Sequence, residues 1–188
     1  MASIKGSRTE KNLLASFAGE SQARNRYTLF ARAAEKEGFP HIQNIFLETA
    51  DNERVHAGRM FKFLEGGMVQ ITATYPAGVV GTTEQNLEAA ASGEHEENSK
   101  IYPEFAAIAQ EEGFGEIATF YRMLCNAEIF HENRYKAQLA DLKNGAMFKR
   151  SSKVKWKCQR CGYIHEGAEA PKSCPCCQHP QKYFEVLA

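Results

Sequence analysis

Glu53-Arg54-Val55-His56 and Glu128-Ile129-Phe130-His131 are two copies of one pattern, set 75 residues apart. Residues three apart on a helix share a face, so each copy points one carboxylate and one imidazole the same way. The surroundings repeat at the same offset: Glu37-Gly38-Phe39 returns as Glu112-Gly113-Phe114, Tyr27 as Tyr102, and Phe30-Ala31 as Phe105-Ala106. The chain is therefore built on an internal duplication, and both halves carry acid and imidazole side chains.

Working outward, helical periodicity surrounds each copy. Leu13, Phe17, Ala23, Tyr27, Phe30, Ala31 and Ala34 recur at steps of three and four, predicting a helix from about Ser7 to Glu37 with Glu20 on its apolar stripe. Gly38 stops it, and Pro40 suits the first turn of the next. That second helix runs to about Glu65 with Ile42, Thr49, Glu53, His56, Met60 and Phe63 on one face. Residues 68–81 show no helical period and read as a long crossover connection. A third helix from near Thr82 carries Leu87, Ala90, Glu94, Glu97, Ile101, Phe105 and Ile108 inward, with Pro103 inside it. An interior proline removes a backbone hydrogen bond, yet the stripe continues across it, which predicts a kinked or bulged helix. The fourth spans about Phe114 to Asn144, with Ile117, Tyr121, Leu124, Glu128, His131, Tyr135 and Leu142 inward. Four helices with one long crossover predict a mainly α four-helix bundle over residues 1–146.

The 188 residues suffice for one such domain and a small module. Net charge is zero but unevenly divided: residues 1–145 hold 15 Lys/Arg and 20 Asp/Glu, giving −5, and residues 146–188 hold 8 and 3, giving +5. Residues 147–153 read as a basic linker to a cysteine-bearing module at 154–188. The polar start, Met1 to Lys11, lacks the apolar core of a secretory signal, and nothing approaches the ~18 apolar residues of a membrane span. The expectation is a soluble cytoplasmic protein.

Glu20, Glu53, Glu94, Glu97 and Glu128 all fall on inward stripes, as do His56 and His131, and no Lys or Arg joins them there. Burying a bare carboxylate costs several kcal/mol even after relaxation. Two divalent ions would set +4 against −5, and carboxylate plus imidazole is a fitting donor set. A glutamate from each of two helices and a Glu-x-x-His from each of the other two is the pattern of ferritin-like di-iron carboxylate bundles. The acid at Glu97 is one more than that pattern needs. Tyr27 and Tyr102 stand near these acids at equivalent places; they either pack as core aromatics or donate to a ligand carboxylate. Cys125 reads as a small apolar core residue, and His41 and His95 as surface residues without a role.

Cys158-x-x-Cys161 and Cys174-x-x-Cys177 form a four-thiolate set around one tetrahedral ion. Cys176 is a fifth cysteine, and a Cys174/Cys176 pairing is the less symmetric alternative. Gly162 suits the turn after the first pair, and Gln178 holds the matching place after the second. Spacing does not separate zinc from iron; an electron-transfer role beside a two-metal site favours iron. The basic residues 149–157 read as a solvated linker, so no nucleic-acid partner is expected.

Glu-Ser-Gln-Ala-Arg-Asn-Arg-Tyr at 20–27, Glu53-x-x-His56, Glu94-x-x-Glu97, Ile-Tyr-Pro-Glu-Phe-Ala at 101–106 and Glu128-x-x-His131 resemble the rubrerythrin family, as does Cys-Gly-Tyr-Ile-His-Glu-Gly at 161–167 followed by Ala-Pro and Cys-Pro-x-Cys. The resemblance implies a ferritin-like di-iron bundle followed by a rubredoxin-like domain with one iron held by four cysteines. It implies iron ligation by Glu20, Glu53, Glu94, Glu97, Glu128 and His131, with Glu53 and Glu128 bridging, His56 replacing Glu97 on reduction, and Cys158, Cys161, Cys174 and Cys177 holding the third iron. It further implies an oxidative-stress peroxidase that reduces hydrogen peroxide to water. Electrons would come from NAD(P)H through an external donor, a rubredoxin or a reductase, and pass through the four-cysteine iron centre of a homodimer. Glu97, His56, Tyr27 and Tyr102 would serve the chemistry. The alternative is a ferroxidase or iron-storage protein, which has no need of the cysteine module.

Overall fold

The computed structural model describes residues 3–187; Met1, Ala2 and Ala188, the outer ends of the two expected units, lie outside them. Helix α1 spans Arg8–Glu37, α2 Pro40–Phe63, α3 Thr83–Glu96, α4 Tyr102–Glu111 and α5 Gly115–Lys143. A π-helical turn, Glu97–Ile101, joins α3 to α4, so the two run on as one bundle helix. This is the bulge expected at Pro103, which sits in the first turn of α4, where a missing N–H is tolerated.

Local chemistry sets the ends. The Ser7 hydroxyl accepts from Glu10 N at the start of α1, and Thr82 and Gln85 form a capping box before α3. Gly38 and Gly113, equivalent in the duplication, both take left-handed φ, 88° and 85°, which glycine adopts without strain. Glu112 accepts from Thr9 N at 2.9 Å and Arg8 N at 3.2 Å, while Glu37 accepts from Thr83 N at 3.0 Å. The corner acid of each half therefore caps the helix that opens the other.

Two apolar clusters fill the bundle. One gathers Tyr27, Phe30, Ile42, Phe46, Leu87 and Tyr135, and the other Leu13, Met60, Tyr102, Ile117, Tyr121 and Leu124. Along every bundle helix the inward acid lies between residues of the two clusters. The polar site thus occupies the middle of the bundle, closed at both ends by hydrocarbon. Residues 64–82 run outside as the expected crossover, held where Tyr75 Oη donates to Ala15 O at 2.6 Å over Gly19. A cavity of about 1300 Å³ lies between this segment, α1 and the π-turn.

The C-terminal module is a three-stranded antiparallel sheet, β1 Lys149–Cys158, β2 Ile164–Glu169 and β3 Phe184–Val186, in the order β2-β1-β3. Trp156 is its core, packed with Phe184, Ala170, Cys158 and Cys174, and donates to Gly167 O at 3.0 Å. Strand β1 begins within the segment 147–153 read as a basic linker, and Arg150 makes two bonds to Asp141 of 2.7 and 2.5 Å. One expectation is corrected here: His41 is not without a contact, since its Nδ1 lies 2.8 Å from Glu185 Oε2, tying the start of α2 to β3.

Candidate metal centres

Four of the inward acids and both histidines converge. Glu20, Glu53, His56 and Glu128 form one group whose donor atoms lie within 4.8 Å of one another, and Glu53, Glu94, Glu128 and His131 form a second. Glu53 and Glu128 belong to both. Every one of the four acids is essentially removed from water. His56 Nδ1 is 2.8 Å from Glu53 Oε2 and 3.2 Å from Glu128 Oε1; His131 Nδ1 is 2.8 Å from Glu128 Oε2 and 3.4 Å from Glu94 Oε2.

Several of these short separations are not aligned hydrogen bonds. Glu20 Oε2, Glu53 Oε1, Glu94 Oε2, both Glu128 oxygens and His131 Nδ1 are buried with no hydrogen-bond partner. Lone pairs are aimed at common points instead of at protons, the arrangement that a pair of cations satisfies. Electrostatics agree. Burial and neighbouring carboxylates push Glu20 and Glu53 well above the usual carboxylate range, and burial raises Glu94. Burial also raises Glu128, but the adjacent His131 and His56 imidazoles outweigh it and hold the group low. Burial lowers His131, yet the Glu128 and Glu94 carboxylates carry it up to about 10. Without a metal, the cluster draws protons to do a cation's work.

The two tyrosines answer the alternative left by the sequence. Tyr27 Oη donates to Glu94 Oε1 and Tyr102 Oη to Glu20 Oε1, both at 2.6 Å, so each phenol orients one acid while also packing in the core. Burial, aided by the adjacent carboxylate, keeps both phenols protonated far above their ordinary range. Glu97 behaves differently from the other acids. It belongs to neither donor group and sits half-buried on the wall of the cavity beside the crossover, together with Arg26, Lys100 and Tyr102.

Sequence reasoning missed Asn98 and Glu132. Asn98 Nδ2 donates to Glu94 O and to Glu132 Oε2, both at 2.7 Å, and His95 Nδ1 reaches Glu132 at 3.0 Å. The available signal was a count: Glu20 to Tyr27 is seven residues, but Glu94 to Tyr102 is eight.

In the module, Cys158, Cys161, Cys174 and Cys177 cluster, with Sγ–Sγ separations of 3.7 Å for Cys158–Cys177 and for Cys161–Cys174. A tetrahedron with metal–sulfur bonds of about 2.3 Å has edges of about 3.8 Å, so the set fits one ion. Cys176 is exposed and outside the cluster. Its contribution is backbone: burial raises the Cys174 thiol, but N–H groups of Cys177 and Cys176 outweigh that and bring it to about 7. Gly162 N bonds Cys158 O and Gln178 N bonds Cys174 O, each at 2.9 Å, and Gln178 takes a left-handed φ of 62° to do so.

The comparisons with known proteins agree with this geometry. The family model described as Rubrerythrin matches residues 11–139, and the one described as Rubrerythrin, rubredoxin-like domain matches residues 156–185. The chain is similar to the rubrerythrin of Porphyromonas gingivalis, 55% identical over 98% of this chain and 92% of that one. With the rubrerythrin of Nitratidesulfovibrio vulgaris it shares 54% identity over 100% and 98%. A structure of nigerythrin in its partially reduced state superposes with a TM-score of 0.65 at 33% identity, covering 98% of this chain and 91% of that one. A carboxylate and histidine di-iron site inside a ferritin-like bundle, followed by a rubredoxin-like iron site of four cysteines, makes this chain a member of the rubrerythrin family.

Proposed function

We propose that the protein is a peroxidase that reduces hydrogen peroxide to two waters at the bundle site, taking two electrons and two protons per turnover. The observation that carries this is the pair of donor groups sharing Glu53 and Glu128. Glu53 and Glu128 would each serve both metal positions, and a pair of metals held there would supply Lewis-acid and redox chemistry to one small oxidant. Glu20, Glu53, Glu94, Glu128 and His131 would be permanent ligands, with His56 and Glu97 alternating on one iron. When bound, the two irons supply the two electrons that break the O–O bond.

The chain's own residues do the rest. Tyr27 and Tyr102 fix the Glu94 and Glu20 carboxylates and keep a proton at each phenol oxygen beside the reacting centre. The apolar clusters at both ends exclude bulk water, which strengthens every charge interaction inside. His56 lies inside the cluster while Glu97 stands aside, the arrangement that suits Fe(II), which prefers a neutral ligand over a second anion. Glu97 returning from the cavity wall would then balance the charge of Fe(III).

Cys158, Cys161, Cys174 and Cys177 would hold an iron that returns electrons one at a time from an external NAD(P)H-linked donor protein. A homodimer fits this role. Gln159, next to Cys158, touches His41 at 3.4 Å, and the twelve helical residues from His41 to Glu53 span about 18 Å. In a homodimer, a partner copy's module would serve this site only if it lay nearer than that. No helix among the described residues is long and apolar enough to cross a membrane.

Stopped-flow mixing of the fully reduced protein with hydrogen peroxide tests the reading: reoxidation should be much faster than with dioxygen. Preference for dioxygen would turn the assignment to a ferroxidase. Cys158→Ser should abolish steady-state turnover yet spare one turnover of pre-reduced protein; unchanged steady-state turnover would remove the module from the electron path.

A further inference from the structure

The two halves of the duplication part company at one place. The extra residue between Glu94 and Tyr102 is absorbed by the π-turn Glu97–Ile101, which inserts a residue without ending the helix. Ahead of the insertion the halves correspond at an offset of 74, so Glu97 answers to Ala23; beyond it the offset is 75, so Glu132 answers to Ala57. Ala23 and Ala57 are plain buried methyl groups. In their places the second half has an acid that reaches the cavity and a buried carboxylate, Glu132, that lies in neither donor group.

A buried carboxylate where a methyl group would pack is costly unless something pairs with it. Asn98, in the π-turn next to Glu97, donates at 2.7 Å to Glu132, next to His131 on α5. The same amide donates at 2.7 Å to Glu94 O, and Ser99 Oγ donates at 2.5 Å to His95 O, so side chains cover two carbonyls of the turn just before the insertion. Lys136 and His95 hold Glu132 from its outer side. One amide and one carboxylate therefore bolt the widened turn to the helix that carries Glu128 and His131.

We infer that Asn98 and Glu132 form a clamp that fixes the backbone from which the Glu97 side chain moves, and so set the balance between Glu97 and His56 at the di-iron site. They are positioning residues. The inference rests on the Glu97/His56 exchange proposed above and adds the residues that govern it. With the clamp intact, only the Glu97 side chain need move. With it loosened, the π-turn shifts as well, and Glu97 reaches the oxidised site less often.

The test uses full-length protein. Redox titration of iron-loaded Asn98→Ala and Glu132→Leu should give a higher two-electron midpoint potential, since losing an anionic ligand disfavours the oxidised state. A tenfold loss of Glu97 ligation in that state raises it by about 30 mV. Glu132→Gln loses the same charge as Glu132→Leu but keeps an acceptor for Asn98, so its potential should rise less than that of Glu132→Leu. Asn98→Ser retains one donor, guards against misfolding of the alanine variant, and should give an intermediate shift. In metal-free protein, amide exchange at residues 97–101 should quicken about tenfold in Asn98→Ala, with the middle of α5 unchanged. An unchanged potential in Asn98→Ala, or equal shifts in Glu132→Gln and Glu132→Leu, overturns the clamp. Glu97→Ala separates the two claims: if it disturbs oxidised and reduced sites equally, the ligand exchange itself fails. If it disturbs the oxidised site more while Asn98→Ala moves nothing, only the clamp fails.

Discussion

Stripping the metals by chelation under reducing conditions should leave a bundle whose stability falls as pH rises, while the iron-loaded protein stays nearly level over the same range. The sign follows from His131. Burial opposes its charge, but the Glu128 and Glu94 carboxylates raise it to about 10 in the folded metal-free chain, against about 6.5 when unfolded. A raised folded value gives stability that is fully present below the unfolded pKa and lost as pH climbs through the folded one. For His131 alone, integrating between pH 7 and pH 9 gives a loss of roughly 2.5 kcal/mol. For a chain of this size that lowers the melting temperature by roughly 5–10 °C. Glu20, Glu53 and Glu94 are raised too, so their protons add to the effect in the same direction. Bound metal replaces these protons, and the slope should vanish. Thermal melting followed by far-ultraviolet circular dichroism at pH 6, 7, 8 and 9 measures both forms. A metal-free protein whose melting temperature is flat or rises with pH would refute the reasoning that protons substitute for metal in this cluster.

Other outcomes follow from single contacts. Tyr102→Phe removes the donor to Glu20 Oε1 and should destabilise the metal-free fold by about 1–3 kcal/mol, read by urea unfolding. Glu112→Ala removes the carboxylate that accepts from Thr9 at the first turn of α1 and should cost about 1–2 kcal/mol at pH 7. Burial raises Glu112, but its Thr9 and Arg8 hydrogen bonds outweigh that and bring it to about 2. Its contribution is therefore present above about pH 4.5 and fades as pH falls through about 2, so variant and wild type should converge in acid urea titrations. Gln178→Gly relieves the left-handed backbone after the second cysteine pair and should stabilise the module by about 1 kcal/mol, measured as slower metal loss to a chelator.

The helices were legible because their apolar stripes are regular and left-handed glycines, Gly38, Gly66, Gly113 and Gly145, stand at or just beyond their ends. The site was legible because several acids on inward stripes are too costly to bury together unless cations join them. Pro103 announced an irregularity in the third bundle helix, but a stripe of side chains does not say whether a kink or a π-turn absorbs it. Glu97 and Glu94 share a face by spacing alone, but in the structure Glu94 joins a donor group while Glu97 opens the π-turn and lines the cavity. Segment 147–153 read as linker because exposed basic residues fit a solvated strand as well as a loop. His41 gave no signal, since its partner Glu185 lies far along the chain, in the C-terminal module.

The reciprocal capping by Glu37 and Glu112 has a mechanical consequence. Each corner carboxylate finishes a helix that belongs to the opposite repeat, so neither repeat is complete by itself. A cut in the crossover between Gly67 and Gly81 would leave two fragments, each keeping its own N-cap residue but with first-turn N–H groups that have lost their carboxylate, and an idle acid. Mixing them would restore both caps at once. The ancestral seam of the duplication is therefore a place where the protein can be divided and rejoined, but not a place where it can come apart by halves.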